Sequence, residues 1–299
     1  MLERGRKLPP SSKQACRPSR RTILAGAASI ALMGSERVSA SGPLRFGLTP
    51  VFLNNDLDLR DHLKAYLEKA TGRSVELVTR RTYQEITSLL VSGQLDAAWI
   101  CGYPFVKFSE QLCLLAVPLW GGRPLYQSYL IVGIDRPVSN PKDLRDDVHA
   151  FSDPDSNSGF LVTSALLADW NEDPATFFRE TFYTYGHRNV IRAVGAGLAD
   201  SGSVDGYVWE VVREVEPELA AQTKVVRRSE WLGFPPIAAP LRDMTPERLS
   251  VLKRAFADMA DDPTGREVLD LLRLDGFTEG APSLFDTILA KVEKIERRG

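Results

Sequence analysis

A serine, an asparagine and a second serine stand together where a predicted strand ends and a predicted helix begins. Phe151–Phe160 reads Phe-Ser-Asp-Pro-Asp-Ser-Asn-Ser-Gly-Phe, and Leu161–Trp170 has an amphipathic helical pattern. The first turn of a helix has N–H groups without intrahelical acceptors and lies at the positive end of the helix dipole. Ser156–Ser158 could therefore bind a small oxyanion through hydrogen bonds. The alternative is an ordinary helix N-cap, since serine and asparagine are common there.

Strands and helices are predicted to alternate along the chain, an order typical of α/β proteins. Leu95–Ile100 is a continuous apolar strand of the kind buried in a parallel sheet, and Thr82 with Glu85 forms a capping box that begins a helix. Further strands are predicted at Leu44–Leu48, Leu112–Pro118, Leu125–Val132, Val148–Phe151 and Val204–Val208. Ligands of such sheets bind beyond the carboxyl ends of the strands, so we expect the binding residues in those loops.

The loops at five predicted strand ends carry polar side chains in a composition typical of binding sites. The candidate residues are Tyr83, Cys101, Tyr103, Ser156, Asn157, Ser158, His187 and Asp205. His187 could donate to an oxyanion from either ring nitrogen. Asp205 could cap the strand end, or it could accept a proton from a monoprotonated oxyanion, because two bare anions repel. His149 is expected to be a packing or solvent-facing residue.

The motifs at these strand ends together resemble the periplasmic phosphate/phosphite/phosphonate-binding proteins of ABC importers. The resemblance covers about residues 44–240 and rests on Arg81–Ile86, Leu95–Trp99, Asp153–Gly159, Tyr185–His187 and Val204–Gly206.

In that family a Ser-Thr-Ser-Gly turn at a helix N-terminus binds the phosphonate oxygens. Here Asn157 takes the middle position, which keeps a donor but changes its reach, so the ligand need not be the family's usual one. Tyr83 matches the family's tyrosine in the helix-opening loop, and His187 matches its histidine in the cleft. Asp205 is the nearest match for the family's acidic residue in the cleft.

The resemblance implies a type II periplasmic binding protein of the α/β class. Each of its two lobes would be a mostly parallel sheet flanked by helices, with the ligand cleft between them. We predict a signal peptide at residues 1–40, a first lobe at 41–134 plus 237–299, and a second lobe at 135–236. The implied function is to bind phosphate, phosphite or a phosphonate and deliver it to an ABC permease by hinge closure. A monomer without a cofactor is expected.

The first forty residues have the pattern of an export signal. A basic region precedes the apolar stretch Thr22–Met33, which is too short to span a bilayer as a stable anchor. Val38–Ala40 has the small residues of a cleavage site, and Ser19–Leu24 resembles a twin-arginine signal. A general secretion signal is the alternative, because such signals can also carry two arginines. Either signal predicts a periplasmic protein.

The charge balance argues against nucleic acid as a partner. The chain has 37 basic and 39 acidic residues, of which residues 1–40 hold eight basic and two acidic ones. The remainder therefore has 29 basic and 37 acidic residues, a net charge of −8. An acidic protein does not attract nucleic acid or an anionic membrane, and it repels anions at long range. An anion site here must depend on local hydrogen-bond donors.

Sequence signatures of the common enzyme classes do not occur in the chain. It contains no Gly-x-Ser-x-Gly, His-x-x-x-His, Cys-x-x-Cys or phosphate-binding P-loop pattern. The sequence therefore predicts a binding protein and not an enzyme. Hydrolysis of a phosphate ester is the enzymatic alternative.

Two cysteines remain after the predicted cleavage, and they leave three interpretations open. Cys101 and Cys113 could form a disulfide in an oxidising compartment, or Cys101 could be a buried packing residue. The same superfamily includes arsenite-binding sensor proteins in which a thiol in the cleft holds the metalloid. The alternative function is therefore a periplasmic sensor, for arsenite through Cys101, that docks on a receptor kinase.

Overall fold

The computed structural model describes residues 42–50, 57–242 and 244–298. The predicted signal peptide at residues 1–40 lies outside the described residues. The strands are β1 (Leu44–Leu48), β2 (Val75–Thr79), β3 (Ala97–Trp99), β4 (Leu112–Leu119), β5 (Leu125–Tyr126), β6 (Ser128–Gly133), β7 (Val148–Phe151), β8 (Glu180–Tyr183), β9 (Ser201–Asp205), β10 (Thr223–Arg228), β11 (Leu232–Gly233), β12 (Ile237–Pro240) and β13 (Gly276–Thr278).

Helices precede or follow most of these strands, as the alternating pattern predicts. The α-helices are α1 (Leu57–Thr71), α2 (Tyr83–Val91), α3 (Gly102–Lys107), α4 (Val162–Asp169), α5 (Pro174–Phe177), α6 (His187–Gly195), α7 (Gly206–Val215), α8 (Pro217–Ala220), α9 (Pro246–Ala257), α10 (Pro263–Leu272) and α11 (Asp286–Glu296). A π-helical turn, Asn157–Leu161, leads directly into α4. Among the described helices, none combines the length and the apolar character needed to cross a bilayer.

The strands form two large mixed sheets, in which four of the nine strand pairings are parallel and five are antiparallel. The first sheet has the order β13-β4-β12-β3-β1-β2, and the second has the order β10-β6-β9-β7-β8. In the first sheet β1 pairs parallel with β2 and β3, and β12 runs antiparallel to both β3 and β4. In the second sheet β7 pairs parallel with β8 and β9, and β6 is antiparallel to both of its neighbours. This arrangement confirms the predicted α/β class. The prediction that each sheet is mostly parallel is wrong, because β12 and β13 in the first sheet and β6 and β10 in the second pair antiparallel with their neighbours.

The chain passes between the two sheets through a short ribbon in which β5 pairs antiparallel with β11. The prediction of one continuous strand over Leu125–Val132 is wrong, because the chain leaves the ribbon at Gln127 and enters the second sheet as β6. The Gln127 carbonyl accepts the Gly206 N–H at 2.8 Å, and its side chain donates to the Ser229 carbonyl. The predicted lobe boundary after residue 134 had assigned β6 to the first lobe. The division into lobes stays a prediction.

The end of β9 also differs from the prediction. A strand was predicted over Val204–Val208, but β9 ends at Asp205 and α7 begins at the next residue. The Asp205 carboxylate accepts the backbone N–H groups of Tyr207 and Val208, which is the bonding of a helix N-cap. The predicted capping box of Thr82 and Glu85 at α2 is confirmed.

The last helix, α11, contacts elements that flank both sheets. At its start the Phe285 ring lies 4.8 Å from the Phe105 ring of α3, which follows β3 of the first sheet. Near its end Lys294 pairs with Asp169, the last residue of α4, which follows β7 of the second sheet. The apolar start of α11 therefore packs beside one sheet, and its charged end pairs with a helix beside the other.

Candidate functional site

The predicted oxyanion-binding turn lies directly after β7 and is closely packed against the end of that strand. Ser156 is the N-cap, and its hydroxyl accepts the Gly159 N–H at 3.0 Å. A Cβ atom on Gly159 would lie 1.8 Å from the Ser152 hydroxyl oxygen, so only glycine fits this position. The turn is π-helical, a geometry that often occurs at functional sites. Ser156, Asn157 and Ser158 are all buried.

His187, the first residue of α6, is held between a backbone N–H group and a tyrosine. Its Nδ1 accepts the Asp205 N–H at 3.1 Å, so the ring proton must lie on Nε2. The Nε2–H group then donates to the Tyr83 phenol oxygen, also at 3.1 Å. Burial lowers the pKa of His187 to about 3, which keeps the ring neutral. The expectation that either nitrogen could donate to a ligand is therefore wrong for Nδ1.

Tyr83, the first residue of α2, reaches this histidine from the layer beside the first sheet. Its backbone N–H donates to the Asp153 carboxylate at 3.2 Å, and its side chain is fully buried. Burial raises the pKa of Tyr83 well above its ordinary value, and the nearby Cys101 and Asp153 act in the same direction. Because the phenol oxygen accepts from His187, its own proton is available to a further acceptor.

Asp205 is a buried carboxyl group that both caps α7 and borders the histidine. Burial raises the pKa of Asp205 to about 7, although the Val208 and Tyr207 N–H groups and the Ser158 hydroxyl act to lower it. At neutral pH the group is therefore close to half-protonated. Ser158 is joined to His187 through this residue, since Asp205 interacts with the Ser158 hydroxyl and donates its N–H to His187.

Asn157 contacts Tyr126, a residue that the sequence-based prediction did not identify. The Asn157 amide nitrogen donates to the Tyr126 hydroxyl at 2.7 Å, and its amide oxygen is buried without a partner among the described residues. Tyr126 is fully buried in β5, within the run that was predicted as one strand. The only local signal is the polar pair Gln127 and Ser128, which interrupts an otherwise apolar stretch.

Cys101 lies against the turn, whereas the Tyr103 ring does not join it. The Cys101 sulfur accepts the Asn157 N–H at 3.1 Å, and burial raises the pKa of the thiol to about 12. Tyr103 is half-buried, with its ring 5.9 Å from the Lys107 ammonium. The possible disulfide of Cys101 with Cys113 is excluded, because both buried residues are present as thiols.

The structure thus brings together buried side chains from elements of both sheets and from the ribbon. They are Tyr83, Cys101, Tyr126, Ser156, Asn157, Ser158, His187 and Asp205, which we call the polar cluster. Its members are hydroxyl, amide, imidazole and thiol groups with one carboxyl group of raised pKa. In the described ranges, no group of three or more His, Cys, Asp or Glu side chains is arranged to hold a metal ion. The cluster is suited to bind a small polar molecule through neutral donors.

Similar structures share this fold at low sequence identity. One is the crystal structure of a binding protein component of an ABC phosphonate transporter from Pseudomonas aeruginosa. The match has a TM-score of 0.77 and 21% sequence identity, and it covers 86% of this chain and 89% of the Pseudomonas chain. Another is PhnD1 from Prochlorococcus marinus, solved in complex with methylphosphonate. This match has a TM-score of 0.76 and 17% sequence identity, and it covers 85% of this chain and 98% of the PhnD1 chain. These similarities confirm the predicted type II periplasmic binding protein fold.

The sequence comparisons identify the family. The phosphate-import protein PhnD of Mycolicibacterium smegmatis is 27% identical over 284 residues, which cover 86% of each chain. The sequence model of the family described as the periplasmic substrate-binding protein of phosphonate ABC transporters matches residues 46–285. The resemblance found at the strand ends is thereby confirmed. This chain belongs to the family of periplasmic substrate-binding proteins of phosphonate ABC transporters.

Proposed function

We propose that the polar cluster binds one small phosphorus oxyanion, namely phosphate, phosphite or a phosphonate, for delivery to an ABC importer. The named activities of two relatives support this ligand class, since one imports phosphate and another was solved with methylphosphonate. The members of the cluster are uncharged apart from Asp205, so they suit a monoanion that is held by local donors.

The observation that carries the proposal is the unpartnered amide oxygen of Asn157. A buried polar atom without a hydrogen bond costs about 1–3 kcal/mol, and a ligand that bonds to this amide would remove that cost. An amide can rotate by half a turn, which exchanges its oxygen and nitrogen positions. The oxygen would then accept from the Tyr126 hydroxyl, and the nitrogen would donate to an oxyanion oxygen. Tyr126 and the ligand together then satisfy both ends of the amide.

Asp205 adds a preference for ligands that carry a proton. A carboxylate and a fully ionised oxyanion repel each other, but a single shared proton converts that repulsion into a hydrogen bond. The raised pKa of Asp205, about 7, allows the proton to lie on either partner near neutral pH. Sulfate carries no such proton under these conditions, so the cluster should bind sulfate weakly.

Binding must be coupled to movement, because the cluster is closed to solvent. Tyr83 from the first-sheet layer contacts His187 from the second-sheet layer, and each is at most 2% exposed. A ligand can enter only when these layers separate. The β5–β11 ribbon, where the chain passes between the sheets, is the natural hinge for that motion.

Proteins of this family act outside the cytoplasm. The compartment of this chain and its membrane partner are part of our proposal. We infer that residues 1–40 are removed on export, that the mature chain acts in the periplasm, and that its closed form docks on the permease of an importer. We also expect binding without turnover, so a phosphate ester incubated with the purified protein should be recovered unchanged.

Calorimetry with phosphate, phosphite, methylphosphonate and sulfate tests the proposal. At least one phosphorus oxyanion should bind with micromolar or tighter affinity, and Ser158→Ala should weaken its binding by tenfold or more. The matched control is Ser164→Ala, because Ser164 lies on α4 and its hydroxyl donates to the Phe160 carbonyl, outside the polar cluster. If wild-type protein binds none of these anions, or if both variants lose the same affinity, the assignment fails.

A second candidate function, arsenite sensing, is favoured by the position of Cys101. Its thiol belongs to the polar cluster and contacts Asn157, so a ligand in the cluster would lie next to sulfur. Sulfur is a soft ligand that suits arsenic(III) better than it suits phosphate. Wild-type protein should then bind arsenite, and Cys101→Ser should abolish that binding. Equal arsenite binding by both proteins would eliminate this function.

A further inference from the structure

The start of α2 is held by residues of the second-sheet layer at three points. The Arg81 guanidinium lies 4.8 Å from the centre of the Tyr185 ring. The Tyr83 phenol bonds His187, and the Tyr83 N–H donates to the Asp153 carboxylate at 3.2 Å. The first two contacts are made by side chains of α2 that can rotate, whereas the third holds the backbone from which the Tyr83 ring projects.

Asp153 also bonds to the anion-binding turn, so a single residue links that turn to α2. Its carbonyl accepts the N–H of Ser156, the N-cap of the turn, at 3.0 Å. One oxygen of its carboxylate accepts the Asp155 N–H at 2.8 Å, and the other accepts the Tyr83 N–H. The side chain is buried, and the bond to Asp155 within its own loop fixes its direction. Asp153 therefore sets the position of Tyr83 relative to the turn.

The contact suits the first residue of a helix. The Tyr83 N–H has no intrahelical acceptor, and the Thr82 hydroxyl accepts from Glu85 instead. A carboxylate at this position also meets the positive end of the helix dipole. In the opening that we propose, the Tyr83 N–H and the Asp153 carboxylate would both pass to water. The bond between them therefore belongs to the closed state.

A carboxylate provides something here that its neutral analogue does not. Asp153 has two acceptor oxygens for two N–H groups, one in its own loop and one across the layers. Asparagine has a single acceptor oxygen and an NH2 group that only donates. If that oxygen accepted the Asp155 N–H, the NH2 group would face the Tyr83 N–H, and two donors cannot bond. Asp153→Asn should therefore break the contact across the layers and keep the loop.

We propose that Asp153 is a positioning residue that holds Tyr83 against the anion-binding turn in the closed state, so that the Tyr83 hydroxyl and the turn donate to the same ligand. This inference rests on the proposed function and adds to it a residue outside the polar cluster. The Tyr83 phenol oxygen accepts from His187, so its proton is free to reach the ligand, provided that the backbone places the ring correctly.

The test is a double-mutant cycle in the intact mature chain, with phosphate and methylphosphonate as the probes. Tyr83→Phe removes the hydroxyl and should weaken binding about tenfold in calorimetry. Asp153→Asn should weaken binding about fivefold, although loss of a negative charge would by itself strengthen the binding of an anion. In the Tyr83→Phe background the same change should not weaken binding, because the hydroxyl that Asp153 positions is already absent.

Asp173→Asn is the matched control, because it also removes one carboxylate from the second-sheet layer. A single oxygen of Asp173 caps α5 by accepting the N–H groups of Ala175 and Thr176, so asparagine can keep this cap. The affinity of this variant for both probes should stay within about twofold of the wild-type value.

Amide hydrogen exchange in the wild-type protein tests the contact without a variant, in case Asp153→Asn does not fold. The Tyr83 N–H should exchange about tenfold more slowly with a saturating probe than without it, because the closed state gives it the Asp153 acceptor. The Glu85 N–H is the internal reference. Its acceptor is Thr82 at the start of the same helix, so its exchange should change less.

The outcomes distinguish this inference from the proposed function. Absence of any phosphorus oxyanion binding by wild-type protein would overturn both. If wild-type protein binds these anions and Asp153→Asn binds them equally or more tightly, only the role of Asp153 is overturned. The same conclusion follows if Asp153→Asn causes the same loss with and without the Tyr83 hydroxyl, or if exchange of the Tyr83 N–H does not respond to the probe.

Discussion

Two buried histidines of this protein share almost every property except the origin of their partners. His149 lies in β7 and His187 begins α6, and both are at most 2% exposed. Burial lowers the pKa of each to about 3, so both rings are neutral. Both ring nitrogens of each histidine take part in a hydrogen bond.

The partners of His149 come from the neighbouring strand of the same sheet. Its two ring nitrogens bond the hydroxyl groups of Ser201 and Ser203 in β9, each at 2.8 Å. The ring also stacks on Phe178 with 4.2 Å between the ring centroids. Ser203 in turn bonds Thr163 on α4 at 2.7 Å. This network is therefore complete within the second sheet and the α4 helix beside it, and it does not depend on a ligand.

The partners of His187 come from two different layers. One is the backbone of Asp205 in the second sheet, and the other is Tyr83, which follows β2 of the first sheet. The opening that we propose would separate His187 from Tyr83 and leave its bond to Asp205 in place. Burial and a lowered pKa are common to both histidines, so only the origin of the hydrogen-bond partners separates the proposed binding histidine from the structural one.

The largest effect on stability is expected from His149→Ala. The change leaves the hydroxyl groups of Ser201 and Ser203 without their imidazole partner and opens a cavity beside Phe178. The free energy of unfolding should fall by about 3 kcal/mol, measured by urea denaturation. Ligand affinity of the folded fraction should stay within threefold of the wild-type value. A loss of affinity as large as that of His187→Ala would break the comparison.

His187→Ala should have the opposite profile. The variant removes the donor to Tyr83 and the bond that joins the two layers, so ligand affinity should fall by tenfold or more in calorimetry. The free energy of unfolding should fall less than in His149→Ala, because a ring that contacts both layers contributes less to the core of either. Unchanged affinity for every phosphorus oxyanion would remove His187 from the binding site.

A smaller effect, of up to tenfold, is expected from pH. Asp205 beside His187 has a pKa of about 7, while His149 remains neutral throughout the neutral range. As pH rises from 6 to 8, Asp205 loses its proton and repels the anion, so affinity should fall relative to Asp205→Asn. The free ligand titrates identically in both experiments, so a difference in slope between the two proteins reports on residue 205. A ratio that is constant with pH would show that Asp205 does not face the ligand.

Local sequence signals were sufficient for the turn but not for the contacts that complete the site. The transition at Phe151–Gly159 was recognisable because turn formers, small polar residues and an amphipathic run occur in order. The bond of Tyr83 to His187 joins residues 104 positions apart, and no periodicity encodes such a distance. Tyr126 was missed for a related reason, since its apolar neighbours read as one strand while the chain actually changes sheets at Gln127. The pKa of Asp205 likewise depends on burial, which arises only in the folded chain.

The position of α11 has a consequence for how the protein responds to its medium. Its ion pair of Lys294 with Asp169 is solvent-exposed. Such pairs weaken as counterions accumulate around them. Added salt should therefore weaken the contact between the end of α11 and α4. The opening that we propose should then become easier, although no residue of the polar cluster has changed.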